Sequence, residues 1–382
     1  MRIGLVVAGG VDRSGRERVT PALLWLIERL ARRHDVHVFV LDYYPAPSTY
    51  TLAGATIHDV GRVAGPPGLR RWRLRARLNR AVAAIAAGGR IDVLHAYMGV
   101  PAGIVAVRVG RSAHIPVVVT LDSGELVALD DLRYGLQRRW IDRCAIDTIQ
   151  RGAARLTVST EYMRGRPALR TPADVVAIGV DRQRFSGTDR GDGPPWRLLR
   201  VASLNRVKDH PTLLQALRLV VDRVGGVHLD VVGEDTMGGA VQSLAHSLRL
   251  DGHVAFHGVQ PTDRVASFYA NAHLHVSTSR HEAAGVAILE AACARLPTVG
   301  TRVGYLADWA SDDSRAERAV SVPIRDPAAL ADAIVMLLSD RARRSRIGAN
   351  AHAWATAHDA DWTANRFEQI YEDVRSSRAE SR

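Results

Sequence analysis

The stretch that decides this sequence is VSTSRHEAAGVAILEAACARLPTVGT, residues 276–301. A short apolar run ending at Val276 reads as the end of a strand. Small polar residues follow, Ser277, Thr278 and Ser279, then Arg280, His281 and Glu282. Gly285 precedes an alanine-rich helix over about 286–294. Pro297 stops it, because proline lacks an N–H and disfavours helix in the residue before it. Thr298 and Val299 open another strand. The pattern is strand, flexible polar loop, helix, strand, with the loop aimed into a helix N-terminus. Such a terminus presents unpaired N–H groups and a partial positive charge, and so suits an anion. Two carboxylates flank that point, Glu282 in the loop and Glu290 on the helix, with seven residues between them. Ionised carboxylates only accept hydrogen bonds and match vicinal hydroxyls. An ordinary capped surface helix with two glutamates fits the spacing equally well.

Working outward, apolar strand-like runs alternate with helical periodicity along the whole chain, which predicts an α/β protein with parallel sheets. Strands are expected at about 2–8, 36–41, 92–95, 117–121, 155–159 and 175–178. A second series follows at 196–202, 227–232, 254–256, 274–276 and 298–299. The last portion, from about residue 327, reads as three helices. A linker at 179–195, rich in glycine, proline and serine from residue 186, divides the series. Two doubly wound domains are expected, 1–184 and 185–361, with a final helix at about 362–378 returning to the first. Their facing sheet edges would form a cleft, since open α/β sheets bind ligands at the carboxyl ends of their strands. Gly9 and Gly10 follow the first strand without a third glycine to complete a dinucleotide fingerprint; a plain turn is the simpler reading. Asp122 stands after the strand 117–121, where an N-cap or turn aspartate is the alternative to a functional role.

The chain has 382 residues, 47% hydrophobic and 24% charged, ample for two cores. No apolar run reaches the roughly 18 residues of a membrane span. The start, MRIGLVVAGG, reads as a first strand and not as a signal peptide, so a cytoplasmic protein is expected. Cys144 and Cys293 read as reduced core residues, outside any disulfide or zinc spacing. The formal net charge is +11. A basic segment, LRRWRLRARLNRAVAAIAA at 69–87, interleaves Arg70, Arg71, Arg73, Arg75, Arg77 and Arg80 with Leu69, Trp72, Leu74 and Leu78. That composition suits either a solvated helix face or a helix lying on anionic lipid. The aromatic pattern of nucleic-acid binders is missing, and nucleic acid is not expected as a partner.

Four stretches together resemble the retaining glycosyltransferases of family 4, which have the GT-B fold of two Rossmann-like domains. They are ASLNRVKDHPTLLQAL (202–217), LDVVGED (229–235), VAFHGVQPTDRVASFYANAHLHVSTSRHEAAGVAILEA (254–291) and GVDRQRF (179–185). The resemblance covers nearly the whole chain. It implies a metal-independent hexosyltransferase that uses a nucleotide sugar, UDP- or GDP-linked, as substrate and needs no cofactor. Lys208 would neutralise the donor diphosphate, Glu282 would hold hydroxyls of the hexose and Glu290 those of the ribose. The N–H groups of Gly285, Val286 and Ala287 would meet the phosphates, Val259 would flank the base with Gly258, and Gly9 and Gly10 would face the substrates from the first domain. Arg206 and His281 are candidates for donor contact, each with an ordinary surface or loop role as the alternative; Arg280 could reach a phosphate or pair with a neighbouring carboxylate. His95 reads as a half-buried loop histidine or an acceptor-side group. Three positions depart from the family pattern. Ser203 stands where an arginine is usual five residues before the lysine, Asp122 where a histidine is common, and Ala284 where a phenylalanine is usual. Asp122 and Glu282 are the expected catalytic pair. A nucleotide-sugar-binding protein of the same fold with impaired catalysis is the alternative, and an epimerase of that fold lacks an evident acid and base. The acceptor is unspecified; a lipid-linked hydroxyl with peripheral membrane contact follows from the basic helix.

Overall fold

The computed structural model describes residues 1–86, 89–187, 191–310 and 316–380. Ala87, at the end of the basic segment, and residues 188–190 of the linker lie outside that set. The chain divides into two compact units, 1–178 with 360–382, and 179–359. The division falls before residue 184. Val180 and Phe185 are buried, and the Phe185 ring meets Tyr269 edge-on at 5.7 Å. The segment read as the end of the first domain is therefore core of the second unit.

In the first unit the strands are β1 (Arg2–Val7), β2 (Asp35–Val40), β3 (Ser48–Leu52), β4 (Ala55–Asp59), β5 (Val93–Tyr97), β6 (Val117–Thr120), β7 (Arg155–Val158) and β8 (Ala173–Val175). They form one sheet in the order β3-β4-β2-β1-β5-β6-β7-β8. All neighbours are parallel except β3 and β4. Central strands such as IGLVV and VLHAY bury every residue because helices cover both faces of a parallel sheet. The antiparallel β3–β4 hairpin turns on Ala53 and Gly54, both with positive φ, a primed turn without its usual Asn-Gly signature.

Helix Pro21–Ala31 buries Leu23, Leu26, Ile27 and Leu30. It lies beside helix Ala360–Glu380, to which Arg33 is tied through Glu368 at 3.0 Å. The latter helix buries Phe367, Ile370 and Tyr371. Helix Trp140–Gly152 is preceded by a separate single turn at 136–138. Its buried stripe is Asp142, Ala145, Ile146, Ile149 and Gln150. Cys144 falls between these positions and is exposed, which corrects its assignment to the core; Cys293 is buried.

The second unit holds β9 (Trp196–Val201), β10 (Val227–Val232), β11 (Val254–Phe256), β12 (Leu274–Ser277), β13 (Thr298–Thr301) and β14 (Val320–Val322), ordered β11-β10-β9-β12-β13-β14. Every pairing is parallel. Leu213, Leu214, Leu217 and Val220 of helix His210–Val224 join Leu330, Ile334 and Leu337 of helix Pro327–Ser339 in one apolar core against the sheet. At Gly300 a Cβ would stand 1.8 Å from the Ser277 carbonyl oxygen, so only glycine lets β13 pass β12 there. Among the described residues no helix is long and apolar enough to cross a membrane.

Candidate active site

The carboxyl edge of the second sheet carries the loops read as functional. After β9, Asn205 caps the single turn Arg206–Lys208 by accepting from the N–H groups of Val207 (3.0 Å) and Lys208 (3.2 Å). Asp209, in the left-handed region, then starts helix His210–Val224. After β12 the chain runs through 278–285 into helix Val286–Cys293. The two loops are stitched together. Arg280 N–H donates to the Val207 carbonyl at 2.7 Å and Thr278 Oγ1 to the Lys208 carbonyl at 3.0 Å. On the other side Thr301 Oγ1 donates to the Ser279 carbonyl at 2.6 Å. Thr278, Ser279, Arg280 and His281 are all buried. The loop expected to be flexible is a packed and hydrogen-bonded wall, because its small polar side chains satisfy backbone groups on both neighbours.

That wall brings Lys208 onto Glu282: Nζ donates to Oε1 at 2.6 Å, and Ser279 Oγ donates to the same oxygen at 2.6 Å. Burial opposes the Glu282 charge, but Lys208, the hydrogen bond from Ser279 and the Arg200 charge outweigh it and hold the carboxyl below its usual range. Eight residues on, Glu290 accepts from Tyr269 Oη at 2.8 Å. Here burial wins. It raises the Glu290 carboxyl from 4.5 to about 7, against the lowering effect of the tyrosine hydrogen bond. Gly285 starts the helix at φ 96°, a conformation that favours glycine. The first N–H groups of a helix have no partner within it, so those of Val286 and Ala287 lie between the two carboxylates in sequence. One edge thus combines a cation, a helix start and two acceptors of different basicity. Together these suit a phosphate flanked by hydroxyl-bearing groups.

Of the other expected residues on this unit, Arg206 is exposed, and so is Val259, on the loop after β11. Neither joins the Lys208–Glu282 cluster. Arg200 was not anticipated. It sits on β9 with 1% exposure and donates to Ser277 Oγ at 2.8 Å and Ser279 Oγ at 3.0 Å. Its one sequence signal was a charge inside an apolar strand, RLLRV. Among the described residues no cluster of three or more His, Cys, Asp or Glu side chains is placed to hold a metal ion.

In the first unit Asp122 follows β6 and accepts a hydrogen bond from Ser159 Oγ, beside the end of β7. Glu125, three residues on, is the better-built carboxylate of that loop. It is buried and accepts from the N–H groups of Gly99 at 2.8 Å and Ser123 at 2.6 Å. Burial raises its carboxyl, and those hydrogen bonds only partly offset the rise. Gly10 has φ 82°, and a Cβ there would meet Thr20 Oγ1 at 2.5 Å; Gly9 lies against Tyr43. His95 is neither half-buried nor in a loop. It lies on β5 with no exposure, hydrogen-bonded to Tyr371 Oη and Thr120 Oγ1, both at 2.7 Å. Burial lowers its imidazole to about 3. It is a neutral core residue that ties helix Ala360–Glu380 to the sheet.

The same architecture recurs in known proteins. Residues 19–180 match the Glycosyl transferase 4-like domain and residues 182–354 the Glycosyl transferases group 1 domain. A D-inositol 3-phosphate glycosyltransferase of Corynebacterium urealyticum is 25% identical over 89% of this chain and 86% of that protein. A GDP-mannose-dependent alpha-(1-6)-phosphatidylinositol monomannoside mannosyltransferase of Mycobacterium tuberculosis is 27% identical, over 57% of this chain and 61% of that one. Among solved structures, sucrose-phosphate synthase from Thermosynechococcus elongatus matches with a TM-score of 0.79 at 18% identity, covering 99% of this chain and 100% of that one. Anabaena HepE, solved in complex with UDP-glucose, matches at 0.73 and 15% identity over 98% and 100%. With two Rossmann-like units and a family match to each, the chain belongs to the family 4-type glycosyltransferases of the GT-B fold.

Proposed function

We propose that this enzyme transfers a hexose from a nucleotide sugar to a hydroxyl acceptor, with retention and without a metal. The observation that carries the reading is the Lys208–Glu282 contact at 2.6 Å beside the start of the helix that bears Glu290. The diphosphate would lie against Lys208 and the N–H groups of Gly285, Val286 and Ala287, where negative charge grows as the sugar–phosphate bond breaks. Glu282 would hold hexose hydroxyls, and Glu290 the ribose hydroxyls. The departing phosphate oxygen would take the proton of the acceptor hydroxyl as the new bond forms on the same face. The donor would be a UDP- or GDP-hexose, the relative named for GDP-mannose supporting the second. A thermal-shift screen against UDP, GDP, ADP and their sugars, followed by nucleotide release with and without Glu282→Ala, tests this. A shift with no release by the wild type, over a broad acceptor panel, would favour a binding protein. No shift with any nucleotide would end the proposal.

The reading extends to a lipid-linked acceptor reached by a cytoplasmic protein at the inner face of a membrane. Trp72 and Leu69 on helix Pro67–Ala86 and Trp140 and Ile141 on helix Trp140–Gly152 are exposed, the tryptophans by 62% and 69%. Arg71 Nη2 to Asp142 Oδ1 at 3.4 Å joins the two helices. Indole rings beside arginines suit an anionic interface. Flotation with phosphatidylglycerol vesicles should fall after Arg70, Arg71 and Arg73 become serine, or after Trp72→Ala with Trp140→Ala. Unchanged flotation would refute this extension and leave the transferase reading standing.

A further inference from the structure

Lys208 has two duties in the proposed reaction, and its three N–H donors must be shared between them. In this structure its ammonium sits on Glu282 Oε1 at 2.6 Å. Its place in the reaction is on the diphosphate. A lysine head on a four-carbon stem can turn from one to the other. Glu282 would then lose its direct partner as two negative phosphates arrive nearby. Within its setting of small buried side chains that favours protonation or displacement.

The wall behind Glu282 holds a second cation, buried and tied down by hydrogen bonds. Arg200 projects from β9 under the loop. Nη1 donates to Ser277 Oγ at 2.8 Å and to the Val276 carbonyl at 3.5 Å, and Nη2 to Ser279 Oγ at 3.0 Å and the Lys208 carbonyl at 3.3 Å. Its Nε has no hydrogen-bond partner. An orphaned donor on a buried guanidinium costs stability. Ser279 Oγ accepts from Arg200 and donates to Glu282 Oε1, the oxygen that also receives Lys208. The serine is therefore a one-residue relay between a fixed cation and the carboxylate.

We propose that Arg200 is the standing counter-charge of Glu282, acting through Ser279 to keep the carboxylate ionised and in place when Lys208 turns to the donor's phosphates. This rests on the transferase reading above. Arg200 touches no substrate and is a positioning residue. The other groups facing this centre do not duplicate it. His275, buried beside Arg200, is lowered to about 3, first by burial and then by the Arg200 charge, and is neutral. Asp209 and Tyr269 act on Arg200 and would add negative charge if anything. Arg280 and His281 flank Glu282 in the loop, but the main charges holding its carboxyl down are Lys208 and then Arg200, and Ser203 brings no charge. Burial lowers Arg200 itself to about 10, which leaves it charged throughout the working range.

The test is the pH dependence of donor turnover for the full chain, with whichever of UDP-glucose and GDP-mannose the wild type hydrolyses. The acid limb of kcat reports ionisation in the bound complex, and that of kcat/KM ionisation in the free enzyme. Removing a cation raises a carboxyl, so Arg200→Gln should move the acid limb of kcat upward by about one pH unit. The limb of kcat/KM should move less, because Lys208 still serves Glu282 in the free enzyme. Arg200→Lys should restore most of the wild-type profile. Ser279→Ala, which breaks the relay, should also move the acid limb of kcat upward and by more than that of kcat/KM, and decides the matter if Arg200→Gln does not fold. Acid limbs unmoved in folded, active variants, or equal movement in kcat and kcat/KM, would overturn the inference while leaving the transferase reading intact. A wild type that neither binds nor turns over a nucleotide sugar would overturn both.

Discussion

Glu290→Gln should make the protein more stable at pH 8 and worse at its task. The Glu290 carboxyl is raised from 4.5 to about 7 by burial, and Tyr269 supplies its hydrogen bond at 2.8 Å. Between those two values the folded protein binds more protons than the unfolded chain, so stability falls as pH rises through that window and the full cost is present above about pH 7. At about 1.4 kcal/mol per pH unit, a rise from 4.5 to about 7 costs about 3 kcal/mol, and the partial exposure of the residue trims this to about 2 kcal/mol. Glutamine keeps an acceptor for Tyr269 and has no charge to desolvate. Its gain should thus be near zero at pH 4.5 and about 2 kcal/mol at pH 8, or about 4–8 °C in melting temperature for a domain of this size. The assay is thermal and urea unfolding of both proteins from pH 4.5 to 8.5. The same difference at every pH, or a loss at pH 8, would refute the account of Glu290 as a carboxylate held against its own burial. The variant should also weaken nucleotide binding by about 10- to 100-fold, the loss of a charged acceptor. In the wild type, nucleotide affinity should rise with pH through 7.

Three further outcomes follow from the contacts. Lys208→Met should lower nucleotide release by about 100- to 1,000-fold, as removal of a group that meets developing phosphate charge does; steady-state release at saturating donor checks it, and a change confined to KM would count against the role. Tyr371→Phe removes the hydroxyl on buried His95 Nδ1 and should cost about 1–3 kcal/mol, read as a lower urea midpoint with nucleotide binding unchanged. Gly300→Ala drives a Cβ to 1.8 Å from the Ser277 carbonyl. It should destabilise by more than about 2 kcal/mol and reduce nucleotide affinity with it, because the neighbouring Thr301 anchors the loop that holds Glu282 through the Ser279 carbonyl.

Much of this was legible in linear order. The parallel strands are buried on both faces and read as unbroken apolar runs, so their existence was plain. The β3–β4 hairpin was not, because its alternation is short and its turn is Ala53-Gly54. β14, three residues long, has too little pattern to show. Glu282 and Glu290 stood out because they lie eight residues apart around one helix start, whereas Lys208, 74 residues from Glu282, was marked only by its place in the stretch 202–217 that carries the family resemblance. Arg200 and Glu125 were missed because each acts through a partner tens of residues away, Ser279 in one case and the Gly99 N–H in the other.

By itself the sequence determined the alternation of strand and helix, the two-unit organisation and which loops end on strand tips. These follow from periodicities that hold within a dozen residues. Only the tertiary structure decided that the loop 277–282 is a buried wall, that Cys144 faces solvent, that His95 is a neutral core residue, and that Glu282 and Glu290 sit on opposite sides of their usual basicity. Burial and charge at a site are sums over neighbours brought in from distant strands, and no local pattern carries that sum.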